Sequence, residues 1–300
     1  MTETELDRRQ FLRTALLGCA SFAASGAAFR PVRRQPETLR IGFVPGADAG
    51  WTAARGVTLG GEEAARTGEL VGRGIELVTV DSAALARSEG VAAIVGGADE
   101  DACRELGAAA ESAGILFVNL GCRSDALRGE ACGRGVFHVE ASARMYADAR
   151  AAGAEGAAEA VLWHPALERF GAAQLNDRHR ARFGDGMDGP AWAGWMAVKL
   201  LWEASLRART TEAAGIRAYL ERAGTQFDGH KGWPLSFRPW DHQLRQPLYL
   251  VAPAAAGTRV VGEVPARPAE GGASFADLLD RLGADASAST CNRMRTGGTP

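Results

Sequence analysis

The chain has 300 residues, 46% hydrophobic and 23% charged, the balance of an ordinary globular protein. A formal net charge of −2 excludes the basic surface that a nucleic-acid partner would need. The length admits one large domain or two small ones.

The first expected element is an export signal over residues 1–28. "LDRRQFLRTALLGCASFAASGAA" joins an Arg8-Arg9 pair to an apolar stretch and then to small residues, with cleavage expected after Ala27 or Ala28. The pattern Arg-Arg-x-Phe-Leu-Arg is similar to a twin-arginine signal and predicts a periplasmic protein. "LLGC", Leu16 to Cys19, also has the form of a lipidation box. The apolar stretch continues past Cys19 through Phe22, which favours release over anchoring at Cys19. After the signal no apolar run approaches the ~20 residues of a spanning helix.

A basic linker covers 29–38, an α/β domain 39–264 and a polar tail 265–300. "LRIGFVPG" reads as a buried strand ending in a glycine loop, followed by a helix centred on "EEAAR". "IELVTVD" is the second strand, and a short helix from Ser82 to Glu89 leads to "VAAIVGG", the third. "DEDACRELGAAAESAG" is an amphipathic helix with acids in its first turn, where the helix dipole favours them. "ILFVNLG" and "GVFHVE" are the fourth and fifth strands, with a helix from Ser142 to Ala152. Short apolar runs alternating with helices predict a parallel sheet covered on both faces, with right-handed crossovers.

The second part of the domain, 155–264, is mainly helical. "HPALERFGAAQLNDRHRARFG", "PAWAGWMAVKLLWEASLRAR" and "AAGIRAYLERAG" read as helices, the last ending at Gly224. Trp192, Trp195 and Trp202 are expected in the core. "PLSFRP" and "PLYLVAP" are short strands around a polar turn, and "SFADLLDRLG" is one short helix in a loosely packed tail.

Motif chemistry is sparse. "GDGMDG", Gly184 to Gly189, has the letters of a dinucleotide fingerprint but follows a helix and precedes Pro190, so it reads as a helix–helix turn. No phosphate loop, HExxH or GxSxG occurs, so no enzyme and no cofactor is expected. His230 and His242 could meet across a hairpin, but no histidines have metal-ligand spacing and no metal is expected. Asp241-His242 in "FRPWDHQLRQPLYLV" reads as part of a turn. Four cysteines remain beyond the signal: Cys103, Cys122, Cys132 and Cys291. In an oxidising compartment they suggest disulfides, in three alternative connectivities.

In a parallel sheet of this kind ligands bind at the C-terminal ends of the strands. The loops in question are Pro45–Trp51, Gly96–Asp101 and Asn119–Asp125, with Asp48, Trp51, Asp99, Asn119, Arg123 and Ser124 as candidate ligand-binding residues.

"LRIGFVPG", "LGGEEAARTG", "IELVTVD", "VAAIVGG" and "AAAESAGILFVNLG", in this order, resemble the type I periplasmic solute-binding proteins of ABC transporters, the branched-chain amino acid receptor group. "DALRGEACGRGVFHVEASARMYADA", "WHPALERFGAAQLNDR", "WAGWMAVK", "HKGWPLSFRPWDHQLRQPLYLV" and "LLDRLGADASASTC" resemble, more narrowly, the binding proteins associated with pyrroloquinoline quinone-dependent alcohol catabolism. The resemblance implies two α/β lobes, a small-molecule solute between them and an ABC permease as partner. It also favours a Cys132–Cys291 bridge, because both cysteines fall in matching segments; Cys103 and Cys122 lie after successive strands, a placement that suggests a second. One departure stands out. "ASARMYADARAAGAEGAAEAVLWHPALERF" passes almost directly from the exit helix to the returning segment, without the strands expected for lobe two. Hinge closure needs two walls. A one-lobe chain therefore suggests impaired or altered solute binding, or an accessory role with a periplasmic quinoprotein dehydrogenase or cytochrome.

Overall fold

The computed structural model describes residues 37–48, 50–80, 90–153, 159–255, 257–267 and 274–291. The export signal, most of the linker and the short helix expected from Ser82 to Glu89 lie outside these residues.

The strands are β1 (Thr38–Phe43), β2 (Gly74–Thr79), β3 (Ala93–Gly96), β4 (Leu116–Asn119), β5 (Val136–His138), β6 (Glu159–Val161), β7 (Phe227–Asp228), β8 (Pro234–Phe237), β9 (Leu244–Arg245), β10 (Leu248–Pro253) and β11 (Thr258–Val264). The α-helices are α1 (Ala53–Val71), α2 (Glu100–Ala113), α3 (Ala143–Ala151), α4 (Ala172–Phe183), α5 (Gly189–Ala208), α6 (Ala213–Leu220) and α7 (Phe275–Leu279).

The first five strands form one parallel sheet in the order β2-β1-β3-β4-β5. Alternate side chains leave opposite faces of a strand, so these short apolar runs supply both faces at once. Leu39, Ile41, Val95 and Val118 join the large core with α1 and α5. Ile94 and Phe117 join a smaller core with Cys103, Leu106 and Ala110 of α2. The expected doubly covered α/β sheet is therefore present.

Helix α5 is buried over most of its length, with Trp192, Trp195 and Trp202 all in the core. It packs very closely on α1. A Cβ at Gly56 would stand 1.7 Å from the Ala191 carbonyl oxygen, and one at Gly194 2.3 Å from that of Ala53. Only glycine allows two helix backbones to approach so far. "GDGMDG" is the connection between α4 and α5: Gly184, at φ 90°, ends α4, and the Asp188 side chain caps α5 through Ala191 N.

The remaining strands form two small sheets, β11-β10-β6 and β7-β8-β9, whose pairings are antiparallel. Strands β6, β7, β9 and β11 have no counterpart in the expected elements. Three of them are only two or three residues long, too short to show a period. The fourth, "TRVVGEV", carries an internal glycine and pairs across a register shift. Helix α6 stops at Leu220 rather than Gly224. There Thr225 Oγ1 donates to the Tyr219 carbonyl, which ends the helical pattern in a turn.

Two expectations need correction. The first is the loosely packed tail. Leu278, Leu279 and Leu282 are buried, and Asp280 accepts from Arg238 Nε at 2.9 Å and from Arg245 Nε and Nη2 at 2.8 and 3.0 Å. The Cys132–Cys291 disulfide closes the same dock, as the resemblance implied. The second is the Cys103–Cys122 bridge: both are free, buried thiols. Cys103 Sγ lies 3.3 Å from Asn119 Oδ1, and Cys122 Sγ accepts from Ser124 N, so hydrogen bonds rather than a covalent bond hold each sulfur.

The stretch "FRPWDHQLRQ" runs beside β5. His138 N donates to the His242 carbonyl at 3.0 Å, and His138 and Gln243 form a parallel bridge. Gln243 Nε2 reaches the carbonyls of His138 and Glu140, and Gln246 Nε2 that of Val139. The side chains of Asp241 and His242 are not hydrogen-bonded to each other. Asp241 Oδ1 accepts from Gln243 N, whereas the His242 ring stacks on Phe137 at 4.2 Å. His230 stacks instead on Trp195 at 5.3 Å.

Candidate ligand-binding site

The C-terminal ends of β1, β3, β4 and β5 place three loops and the start of α3 along one rim of the sheet. The six candidate residues fall into two groups there. Asp48, Asp99 and Asn119 spend their side chains on the backbone. Asp48 Oδ1 accepts from Gly50 N at 2.8 Å, and Asp99 Oδ1 caps α2 through Ala102 N at 2.8 Å. Asn119 is fully buried. Its Oδ1 accepts from Gly121 N and Cys122 N, and its Nδ2 donates to the Cys122 carbonyl and meets His138 Nδ1 at 3.1 Å. Asn119 thus belongs to the frame of the rim, not to its surface.

Trp51, Arg123 and Ser124 reach that surface. Trp51 is half-buried, stacked on Phe43 with ring centroids 6.3 Å apart. The neighbouring Thr52 Oγ1 donates to Asp188, which ties this loop to the start of α5. The Arg123 guanidinium lies 4.0 Å over the ring of Tyr146, and its side chain is 52% exposed. A guanidinium on an aromatic face keeps its edge free for a planar, bidentate anion.

Glu140 and Tyr146 went unrecognised in the sequence. Glu140 is buried just past β5, where Tyr146 Oη donates to its Oε1 at 2.6 Å and Ala141 N at 3.1 Å. Arg123 Nε stands 3.4 Å from the same oxygen. Burial raises the Glu140 carboxyl above the ordinary range, against the opposing pull of Arg123 and Tyr146. Burial likewise raises the Tyr146 phenol. No motif marks this trio, because the loop after β4, the end of β5 and α3 bring residues 123, 140 and 146 together only in the fold.

Beneath the rim, Arg128 is buried and donates to Gln243 Oε1 at 2.6 Å and to the carbonyls of Cys122, Ser124 and Glu140. It fixes the β4 loop, the end of β5 and the returning segment in one frame. The two thiols lie in the same region. Contact with Cys103 lowers the Cys122 thiol to about 7, and the same contact, with burial, raises that of Cys103. The arrangement offers an exposed cation, a tryptophan and a buried acid, suited to holding a small anionic or zwitterionic solute. Among the described residues no group of three potential metal ligands gathers anywhere.

No protein-family model matches the chain, and no curated protein matches it. Solved structures do. A periplasmic binding protein from Burkholderia mallei is 13% identical over 85% of this chain and 99% of its own, with a TM-score of 0.67. An ABC-type branched-chain amino acid transporter protein from Rhodopseudomonas palustris is 17% identical over 75% and 96%, with a TM-score of 0.64. A branched-chain amino acid transporter substrate-binding protein from Streptococcus pneumoniae, in complex with isoleucine, is 14% identical over 75% and 99%, with a TM-score of 0.58. The chain therefore has the fold of the type I periplasmic binding proteins.

Proposed function

We propose that this chain, built on the type I periplasmic binding protein fold, is a periplasmic solute-binding component of an ABC-type transporter, with no catalytic role. The observation that carries the reading is the rim at the strand ends, where Arg123, mounted on Tyr146 and backed by buried Glu140, is half-exposed at the same edge of the sheet as Trp51. A carboxylate-bearing solute is the class this rim suits. The narrower sequence resemblance extends the proposal to a system serving pyrroloquinoline quinone-dependent alcohol oxidation.

Purified protein titrated with amino acids, organic acids, alcohols, aldehydes and quinone cofactors should gain thermal stability with at least one of them. Saturation at a hundred times Kd corresponds to about 2.7 kcal/mol. Arg123→Ala should abolish that gain, read against the variant's own unliganded midpoint, which falls because buried Glu140 loses the cation 3.4 Å away. A flat response across the panel would sink the proposal.

One observation favours a second reading. Among the described residues only one parallel sheet is present, and the other strands form small antiparallel sheets. A solute on the rim would then meet one full wall, short of the 70–90% burial usual for small-molecule sites. In this reading the rim receives a periplasmic dehydrogenase or cytochrome. Native mass spectrometry of protein taken from its own periplasm separates the two: a copurifying protein supports the second reading, a bound small molecule the first.

A further inference from the structure

A cavity adjoins one end of the rim, between the loop after β4, the start of α3, the returning segment and the docked tail. It measures about 320 Å3, within the range of small-molecule pockets. Arg128, Arg144 and Arg238 line it together with Asp125, Asp241 and Ser142, and the tail between Ala284 and Thr290 roofs it. Three guanidiniums against two carboxylates leave the lining one positive charge in excess.

The geometry of two buried side chains indicates what it could hold. Arg238 is 1% exposed and Asp241 4%. Arg238 uses Nε on Asp280 and Nη2 on the carbonyls of Leu279 and Leu282. Its third nitrogen, Nη1, comes only within 3.9 Å of Asp241 Oδ2. The other Asp241 oxygen already accepts from Gln243 N. A donor and an acceptor thus face each other across a gap too long for a direct hydrogen bond and suited to one bridging oxygen. A hydroxyl fills that gap with both roles met, accepting from Arg238 and donating to Asp241. Arg144 lines the same cavity at an exposed position, its backbone N–H held by Asp125 Oδ1 at 3.3 Å, and its guanidinium, whose charge is also felt by Asp285, is the cation there for a ligand carboxylate.

We propose that this cavity is a binding site for a small hydroxycarboxylate, its hydroxyl between Arg238 Nη1 and Asp241 Oδ2 and its carboxylate on Arg144. Its binding groups, Arg144, Arg238 and Asp241, are not those the rim offers, Arg123 and Trp51, although the β4 loop and the start of α3 adjoin both. Burial raises the Asp241 carboxyl, an effect its neighbour Arg238 opposes, and a hydroxyl donor to Oδ2 strengthens the ionised form.

The test titrates the full chain with tartrate, glycolate, acetate and sulfate by calorimetry and thermal denaturation. Tartrate or glycolate should bind and raise the melting midpoint, with acetate at least tenfold weaker for want of the hydroxyl. Arg144→Ala, an exposed position, should weaken tartrate at least tenfold while leaving the unliganded midpoint in place. Asp241→Asn should remove the preference for tartrate over acetate, and Arg123→Ala should leave tartrate binding unchanged. Sulfate binding as tightly as tartrate would reduce the site to a nonspecific anion site and overturn the proposal. So would an absence of binding at 10 mM (roughly the ~10⁻² M limit, or about 2.7 kcal/mol), or binding that Arg123→Ala abolishes.

Discussion

Lys231 shows how strongly single residues bind the second half of this chain to itself. Its ammonium is buried and donates to the Leu162 carbonyl, Gln246 Oε1 and the Pro247 carbonyl, with the ring of Trp192 4.0 Å away. Three donors meet three acceptors, so the charge stays satisfied, although burial holds the lysine well below its ordinary range. Lys231→Met should leave those acceptors unpaired and lower stability by at least about 1–3 kcal/mol, read from the urea midpoint. Glu140 makes a pH prediction. Its carboxyl is raised in the folded state, so its contribution to stability is full below the ordinary carboxylate range and is lost as pH rises through the folded value. Glu140→Gln keeps an acceptor for Tyr146 and should flatten that part of the stability–pH profile. An unchanged slope would show that Arg123 compensates the buried charge fully.

At the scale of elements, the α1–α5 contact and the tail dock are the two joints that carry the fold. Gly56→Ala would place a methyl into the Ala191 carbonyl, so α1 and α5 must separate. The expected cost is about 1–3 kcal/mol, typical of overpacking, measured as a fall in the thermal midpoint. The tail joint rests on Asp280, shared by Arg238 and Arg245, and on the disulfide. Trp240 lies in the same joint, between the guanidiniums of Arg238 and Arg245, with Nε1 donating to the Ala284 carbonyl. Replacing Cys132 and Cys291 together by alanine should cost about 2–5 kcal/mol and open residues 274–291 to limited proteolysis. Peptide mapping without reductant should find the Cys132–Cys291 bridge and alkylatable thiols at Cys103 and Cys122; a Cys103–Cys122 peptide would contradict the structure.

For the whole molecule, the parallel sheet was legible because β3 and β4 are buried at every position and read as nearly continuous apolar runs between helices, with half-buried β2 at the sheet's edge. Loop positions at the strand ends followed from that topology. Which loop side chains face outward did not follow. Asp48, Asp99 and Asn119 look like ligand groups in the sequence, but unpaired backbone N–H groups at the loop and helix starts claim them first. The antiparallel strands stayed hidden for a related reason. Strands β7 and β9 are two residues long and β11 carries an internal glycine, so none shows a clear period, and β6 has its partner far along the chain, where Ala160 aligns with Leu250.

The sequence by itself determined the class of fold, the order of the parallel sheet's elements, the acidic first turn of α2, and the core role of the α5 tryptophans. Each is a local property, set by the period of apolar residues or by capping chemistry within a few positions. Only the tertiary structure decided the Arg123–Tyr146–Glu140 rim, the buried Lys231 and Arg128 hubs, the state of Cys103 and Cys122, and the cavity between Arg238 and Asp241. These depend on where a charged side chain finds partners once water is excluded, and chain spacing does not encode that position. "FRPWDHQLRQ" illustrates the division: its letters suggest an Asp-His pair, whereas burial beside β5 sends Asp241 to Gln243 and the cavity, and His242 to Phe137.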